Sequence, residues 1–426
     1  MSWKLPNPFL DDKGEIADLN VWDHQREYLR NILTEDFYGR SPEDSGEVTA
    51  EKKAEKILWE GLGRFSVYEL HFGPENGLSM MTALIRPSEG KALPIVLMGG
   101  YVDEEIAKIA VEQGYCIATP LMDDLAPDSP DYKKGILYQA YPKDSFKVIR
   151  MWGWLLSRVI DWLEKTDFAE PDSFTVVGHS RYGKAALACS VYDERVKVTV
   201  AGGSGCGGMG SLRVYGSRFG EGTGKVETLG AMLKSNFPHW YLDSLQEYGS
   251  DQPSEHFREK ELRFDANFIG SVIAPRPLLV LEGLDDTWAN PYGTFASWSA
   301  VSEVYHYLSA DENCAIHFRE GGHALNLSDW KVIMDFCSVK LRGEERPQDW
   351  RTRQYGDPMI ARDFNAPGPE EQAPEAASFG SPEMLKRILQ RMNQKWAFSE
   401  FGLETGMDRY VRGLLEKAGK EESNES

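Results

Sequence analysis

The sequence predicts an α/β protein, a mostly parallel sheet covered by helices on both faces in a three-layer sandwich, followed by a C-terminal extension. Two observations carry this. Short β-rich apolar runs alternate with longer helical ones from Pro94 to Leu341, the pattern of strands joined by crossover helices. One of them, Phe174-Thr-Val-Val-Gly178, runs straight into a glycine-bracketed turn and then an alanine-rich helix. The bulk numbers agree. The chain has 426 residues, 41% hydrophobic and 12% aromatic, enough for one large domain with additions.

Taken in order, residues 1–20 read as an irregular arm. Trp22, Tyr28, Leu29 and Leu33 have helical spacing, so a helix is expected from Trp22 to Phe37, ending at Tyr38-Gly39. Residues 41–54 are charged and predict a loop. Ile57 to Phe72 and Leu78 to Arg86 predict antiparallel strands with turn signals between them. Pro94 to Gly100 is a continuous apolar run ending in glycines, as a buried parallel strand should be. A short helix over Glu104–Gln113 and a strand over Tyr115–Thr119 follow. Pro120 to Lys143, rich in Asp, Pro and Tyr, predicts a long loop on the side of the functional site. Ser145 to Lys165 is a bulky apolar helix. After the glycine-bracketed turn come a strand at Val196–Val200 and a long insertion over residues 201–270. A strand at Pro277–Glu282, a helix at 293–308, a strand at Ala315–Phe318 and a helix at Ser328–Leu341 complete the pattern. Residues 343–382 are charged and proline-rich, and two further helices are expected at Leu385–Trp396 and 405–420. This divides the chain into an arm and helix (1–55), a catalytic domain (56–342) and an extension (343–426).

The formal charge of −20 argues against nucleic acid and anionic membranes as partners. No run reaches the roughly 18 apolar residues of a membrane helix. The N-terminus, Met1-Ser-Trp-Lys-Leu-Pro-Asn-Pro8, lacks an apolar signal segment, so a soluble, cytoplasmic protein is expected. The five cysteines are scattered without Cys-x-x-Cys pairs, which argues against a disulfide framework or zinc site. Cys116, Cys189 and Cys314 lie in or beside apolar runs and are expected in the core. No metal or other cofactor is expected, and nothing in the sequence sets the oligomeric state.

The chemistry centres on Gly178-His179-Ser180-Arg181-Tyr182-Gly183. Strand, tight turn and helix with a serine at the tip match the nucleophile elbow of α/β-hydrolases, in which strained backbone exposes the serine oxygen. The spacing is G-x-S-x-x-G rather than the usual G-x-S-x-G. An ordinary strand-to-helix turn with a capping serine is the alternative; the flanking pattern and a downstream Gly-Gly-His favour the elbow. The fold orders its triad as serine, acid, histidine. His323, in Arg319-Glu-Gly-Gly-His-Ala-Leu325, follows the last predicted sheet strand and is the candidate base. Asp285 or Asp286, after the penultimate strand, fits the acid, with Asp286 preferred; both could instead serve as turn or capping residues. Oxyanion donors are expected from the backbone N–H of Arg181 and from the loop after Gly99-Gly100. The Arg181 side chain either adds a charge to the oxyanion or makes a structural ion pair. His179 is expected to pack.

Gly178-His-Ser-Arg-Tyr-Gly-Lys184 resembles the Gly-Cys/His-Ser-Arg-x-Gly-Lys signature of the glucuronoyl esterases, carbohydrate esterase family 15. Gly203-Ser-Gly-Cys-Gly-Gly208, Asn236-Phe-Pro-His-Trp240, Phe264-Asp265, Ile273-Ala-Pro-Arg-Pro-Leu-Leu-Val280, Asp286-Thr-Trp-Ala-Asn-Pro-Tyr-Gly293 and Gly322-His323 agree with it, over roughly residues 20–342. The resemblance implies an open, shallow site and hydrolysis of esters between 4-O-methylglucuronic acid of xylan and lignin alcohols. It implies Ser180 as nucleophile, His323 as base and Arg181 as oxyanion arginine. It further implies Lys184 as the lysine for sugar hydroxyls, Trp288 as a substrate-contacting tryptophan and Glu221, in Arg218-Phe-Gly-Glu221, as the glutamate for uronate hydroxyls. Three departures stand out. Many members carry the acid as Glu where this chain has Gly203, which moves the acid to the other family position, Asp286. Members acting on biomass are generally secreted. Residues 343–426 extend beyond the family domain. The expected partner is a small-molecule or oligosaccharide ester. An acetyl esterase or small-molecule carboxylesterase with the same triad is the alternative, and a catalytically idle carbohydrate-binding homologue a third reading.

Overall fold

The computed structural model describes residues 5–15, 22–43, 45–100, 102–217, 220–221, 226–249, 258–348 and 350. The predicted helices at 385–396 and 405–420 lie outside them. The elements are α1 (Trp22–Leu33), β1 (Thr49–Leu58), β2 (Gly63–Phe72), β3 (Leu78–Pro87), β4 (Leu93–Gly99), α2 (Glu104–Glu112), β5 (Cys116–Pro120), α3 (Ile136–Ala140), α4 (Val148–Leu163), β6 (Ala169–His179), α5 (Arg181–Tyr192), β7 (Val196–Gly202), the short β8 (Gly216–Ser217) and β9 (Gly220–Glu221), α6 (Ala266–Ile273), β10 (Leu278–Gly283), α7 (Pro291–Tyr307), β11 (Cys314–Arg319) and α8 (Leu327–Arg342).

Nine strands form one sheet in the order β1-β2-β3-β5-β4-β6-β7-β10-β11. The pairings β1–β2, β2–β3 and β3–β5 are antiparallel; all those from β5 to β11 are parallel. The sheet is therefore mixed, with a parallel half that carries the site. Successive side chains of a strand point to opposite faces, and the central strands show it. Ile95 and Leu97 of β4, Phe174 and Val176 of β6, and Leu278 and Val280 of β10 join one core with α1, α4, α5 and α6. Their neighbours Val96, Met98, Val177, Leu279 and Leu281 join a second core with α2 and α8. Two apolar layers on either face make the three-layer sandwich. Helix α4 is buried almost all round, from Val148 to Leu163, because it lies under α5 and the sheet.

The strand order turns back at β4. From there the chain steps outward to β5 and then returns to place β6 on the other side of β4. Crevices at the carboxyl ends of parallel strands beside such a reversal are where α/β folds bind ligands.

Residues 49–54, expected in a loop, instead form most of β1. Its sequence Thr-Ala-Glu-Lys-Lys-Ala-Glu-Lys-Ile-Leu is exposed along nearly its whole length, so it shows no apolar alternation to read. Charged edge strands of this kind block sheet-to-sheet association. The sheet thus begins ahead of residue 56. The 201–270 insertion also contains the start of α6, whose Asp265 cap accepts bonds from Ala266 N and Leu212 N and pairs with Arg213. All five cysteines are buried and free. Trp350 packs edge-on against Phe336 of α8, ring centroids 5.1 Å apart, so the start of the extension is part of the second core. Among the described residues no helix is long and apolar enough to cross a membrane.

Candidate active site

Ser180 sits between β6 and α5 with φ 57° and ψ −128°, left-handed backbone that a non-glycine residue adopts only under strain. Its N–H donates to Gly202 O at 2.8 Å, fixing the elbow to the end of β7. Gly178 makes the turn possible: a Cβ there would lie 2.0 Å from Tyr182 O, far inside contact distance. Tyr182 stands where the usual second glycine would be; its ring stacks on Trp152 and its hydroxyl donates to Asp123 at 3.0 Å. The Arg181 N–H opens α5, where helix N–H groups have no intrahelical acceptor and attract negative charge. On the other side, Tyr101, which follows Gly99-Gly100, lies outside the described residues.

The loops after β7, β10 and β11 converge on this elbow. His323, 41% exposed, donates from Nδ1 to Oδ2 of the buried Asp286 at 2.5 Å. Oδ1 of Asp286 accepts from Ala289 N at 3.3 Å. With Nδ1 committed to the carboxylate, Nε2 is the nitrogen left to take a proton. Asp285 does something else: its Oδ2 accepts from Gly321 N at 2.9 Å and its N–H donates to Gly321 O at 3.0 Å, lacing the two loops together. Gly203, the position where many relatives carry the acid, has φ +49°. A Cβ there would meet Asp286 Oδ2 at 3.3 Å and His323 Cε1 at 3.4 Å. A side chain at 203 and that of Asp286 would therefore face the same imidazole, and Asp286 is the carboxylate bonded to it.

Three site residues escaped the sequence. Arg319, the last residue of β11, donates from Nε to Asp329 at 2.8 and 3.0 Å, and from Nη2 to Gly322 O and Ala324 O. It thus holds the carbonyls on either side of His323. Asp128 accepts from Arg181 Nη1, from His239 Nε2 at 2.7 Å and from Trp240 Nε1 at 2.7 Å. Burial would push its carboxyl up, but the Arg181 guanidinium and these donors outweigh that and hold it well below the usual carboxylate range. Arg181 also lies over the rings of Phe237 and Trp240. So the guanidinium does make an ion pair, with its Asp128 end anchored behind the elbow. Nearby Asp123 is pushed up to about 7, by burial first and the Asp128 charge second.

The third is Glu227. Its Oε2 accepts from Lys184 Nζ at 2.9 Å and its N–H donates to Trp288 O at 2.9 Å. Lys184, implied as a free donor for sugar hydroxyls, is only 3% exposed. It gives its three N–H groups to Ser204 O, Cys206 O and Glu227. These bonds tie Lys184 to Glu227, itself only 4% exposed, and to the loop after β7. Trp288 is 38% exposed, consistent with a contact surface. The Glu221 side chain lies outside the described residues. On the edge strand β1 and its neighbour β2, Glu51, Glu69 and His71 come close enough to suggest metal ligands, a grouping invisible along the sequence. Lys53 bonds both carboxylates, at 2.6 and 2.8 Å, and explains the cluster as an ion-pair network.

A sequence profile described as "Glucuronyl esterase, fungi" matches residues 74–309. Carbohydrate esterase MZ0003, from an unknown prokaryotic organism, is 24% identical over 408 residues, covering 80% of this chain and 90% of that protein. The 4-O-methyl-glucuronoyl methylesterase 1 of Wolfiporia cocos is 26% identical over 315 residues, 72% of each chain. Among solved structures, a carbohydrate esterase family 15 glucuronoyl esterase from Caldicellulosiruptor kristjansonii superposes with a TM-score of 0.69 at 24% identity, covering 84% of this chain and 95% of that one. The profile spans more than half of the chain, from just before β3 to just past α7, and so takes in the serine, the acid and the arginine; the chain belongs to the glucuronoyl esterase family, carbohydrate esterase family 15.

Proposed function

We propose that the chain is a serine esterase that cleaves esters of the glucuronic acid carboxyl group, 4-O-methylglucuronoyl esters foremost, through an acyl-enzyme. The observation that carries this is the buried Asp286 carboxylate bonded to His323 Nδ1, set beside a strained elbow serine in a member of this family. Ser180 Oγ attacks the ester carbonyl carbon while His323 Nε2 takes its proton. The Asp286 carboxylate stabilises the imidazolium and fixes its tautomer. The Arg181 N–H at the start of α5 and the guanidinium anchored by Asp128 face the negative charge that develops on the carbonyl oxygen. Collapse breaks the bond to the alcohol oxygen, which leaves with the proton from His323. Water, deprotonated by His323, then attacks the acyl carbon; Ser180 regains its proton and the uronic acid is released.

Recognition of the uronate falls to the Lys184–Glu227–Trp288 group. Glu227 is the carboxylate this chain ties to both of the others, and in this reading it serves the sugar hydroxyls with Lys184 behind it and the exposed Trp288 ring beside it. The test compares wild type and Ser180→Ala on benzyl glucuronate, an acetylated sugar and p-nitrophenyl acetate. Serine-dependent turnover favouring benzyl glucuronate is expected. Turnover of the acetyl esters alone would keep the mechanism and discard the substrate, and no serine-dependent turnover would discard both.

A further inference from the structure

We infer that His179 is a positioning residue for the catalytic base: a neutral ring packed against His323 that stops the base from turning away from Ser180. This rests on the role of His323 given above.

The argument starts from what holds His323. Its one described hydrogen bond is Nδ1 to Asp286, so among the described residues one bond opposes a change of side-chain rotamer in a half-exposed loop. Such a change would carry the ring off the carboxylate and Nε2 off the serine. Arg319 fixes the loop backbone through Gly322 O and Ala324 O but not the ring. The ring itself packs against His179, whose ring centroid lies 4.5 Å from that of His323 with the planes 43° apart.

Among the described residues, no hydrogen bond of its own accounts for a histidine at 179. His179 ends β6, and its Nε2 is buried with no hydrogen-bond partner among the described residues. A core histidine kept for its own hydrogen bonds would use that nitrogen. Instead the nitrogen points at the Gly203 turn, 3.0 Å from where a Cβ would stand. Gly202 and Leu325 line the same edge of the ring: a Cβ on Gly202 would touch both Leu325 Cδ1, at 3.3 Å, and His179 Cδ2, at 3.5 Å. The ring is wedged between the elbow, the Gly202-Gly203 turn and the His323 loop.

Charge fits this role. The charged groups around the pair are His323 itself, Arg319 and, across Gly203, Asp286. Burial first, then His323 and Arg319, push His179 down to about 3. It therefore stays neutral near neutral pH and adds no cation beside the imidazolium formed during the reaction.

The experiment measures kcat, KM and melting temperature of His179→Ala, His179→Asn and His179→Phe on benzyl glucuronate, beside Ser180→Ala and His323→Ala. Ala and Asn leave a gap beside the base. Their kcat is expected to fall on the order of 10- to 100-fold with KM within about twofold, since a small misplacement of a catalytic group costs that much. Phe restores a flat neutral ring and is expected to recover kcat to within about threefold of wild type. If Ala does not fold, Asn and Phe decide. Wild-type kcat in Ala or Asn overturns the inference, as does a folded Phe variant no better than they are. Turnover surviving in Ser180→Ala or His323→Ala would instead sink the esterase reading itself.

Discussion

Asp285 and Asp286 are adjacent and chemically identical, yet only one of them orients His323. Asp286 is buried and bonded to Nδ1, while Asp285 accepts from Gly321 N. Asp286→Asn keeps the shape but presents an amide where the carboxylate should accept, so the wrong tautomer is favoured. Its kcat on benzyl glucuronate is expected to drop by about 10²- to 10⁴-fold; Asp285→Asn is expected to cost no more than about tenfold, through loosening of the loop. The reverse order in steady-state kinetics would show that the acid had been misassigned. Ser180 and His323 were legible because each lies in a short local string, the elbow and a Gly-Gly-His after the last strand. Their supports were not. Asp128 is 53 residues from Arg181 and Glu227 is 43 residues from Lys184. Nothing near either acid marks it, so only the fold pairs them. The position of Lys184 could be read from the sequence. That its donors are already spent on two carbonyls and Glu227 could not.

The loop between β11 and α8 carries His323, and one arginine bonds to both of its ends. Arg319 bonds both oxygens of Asp329, and Asp329 also completes the capping box of α8 with Asn326. The same guanidinium reaches the carbonyls of Gly322 and Ala324. Strand end, catalytic loop and helix start are thereby one hydrogen-bonded unit. Arg319→Lys keeps the charge but not the planar fork that spans these acceptors. It is expected to lower kcat on the order of tenfold, with Arg319→Ala lower still as Asp329 loses its partner; melting curves and kcat measured together check this. Activity of wild-type level in Arg319→Ala would mean that the loop holds its shape without the guanidinium. Alternation of strands and helices made most of these elements readable, because buried parallel strands show as continuous apolar runs. Strand β1 was not readable, since as an exposed charged edge it buries almost nothing.

At the scale of the whole molecule, the loop after β5 places two carboxyl groups with opposite pH dependences beside the elbow. Asp123 is pushed up to about 7, first by burial and then by Asp128, against the pull of the Tyr182 hydroxyl and Arg181. An unfolded aspartate titrates near about 4. Between those values the folded protein binds the extra proton, so this group's contribution to stability is complete below about pH 4 and is lost as pH rises through about 7. Asp128 runs the other way. Arg181, His239 and Trp240 overcome its burial and hold it low, so its contribution is present above about pH 4 and is lost as the solution becomes more acidic. Asp123→Asn keeps an oxygen for Tyr182 and removes the buried charge. The variant's melting temperature, relative to wild type, is expected to rise steadily between about pH 5 and about pH 8, and to exceed wild type at the alkaline end. Asp128→Asn is expected to lose most at about pH 8 and less at about pH 3, because below about pH 4 the unfolded aspartate takes up a proton that the folded, still charged carboxylate does not. Scanning calorimetry across this range separates the two. Parallel curves for Asp123→Asn and wild type would mean that Asp123 titrates as an ordinary surface acid and that its environment does not oppose its charge.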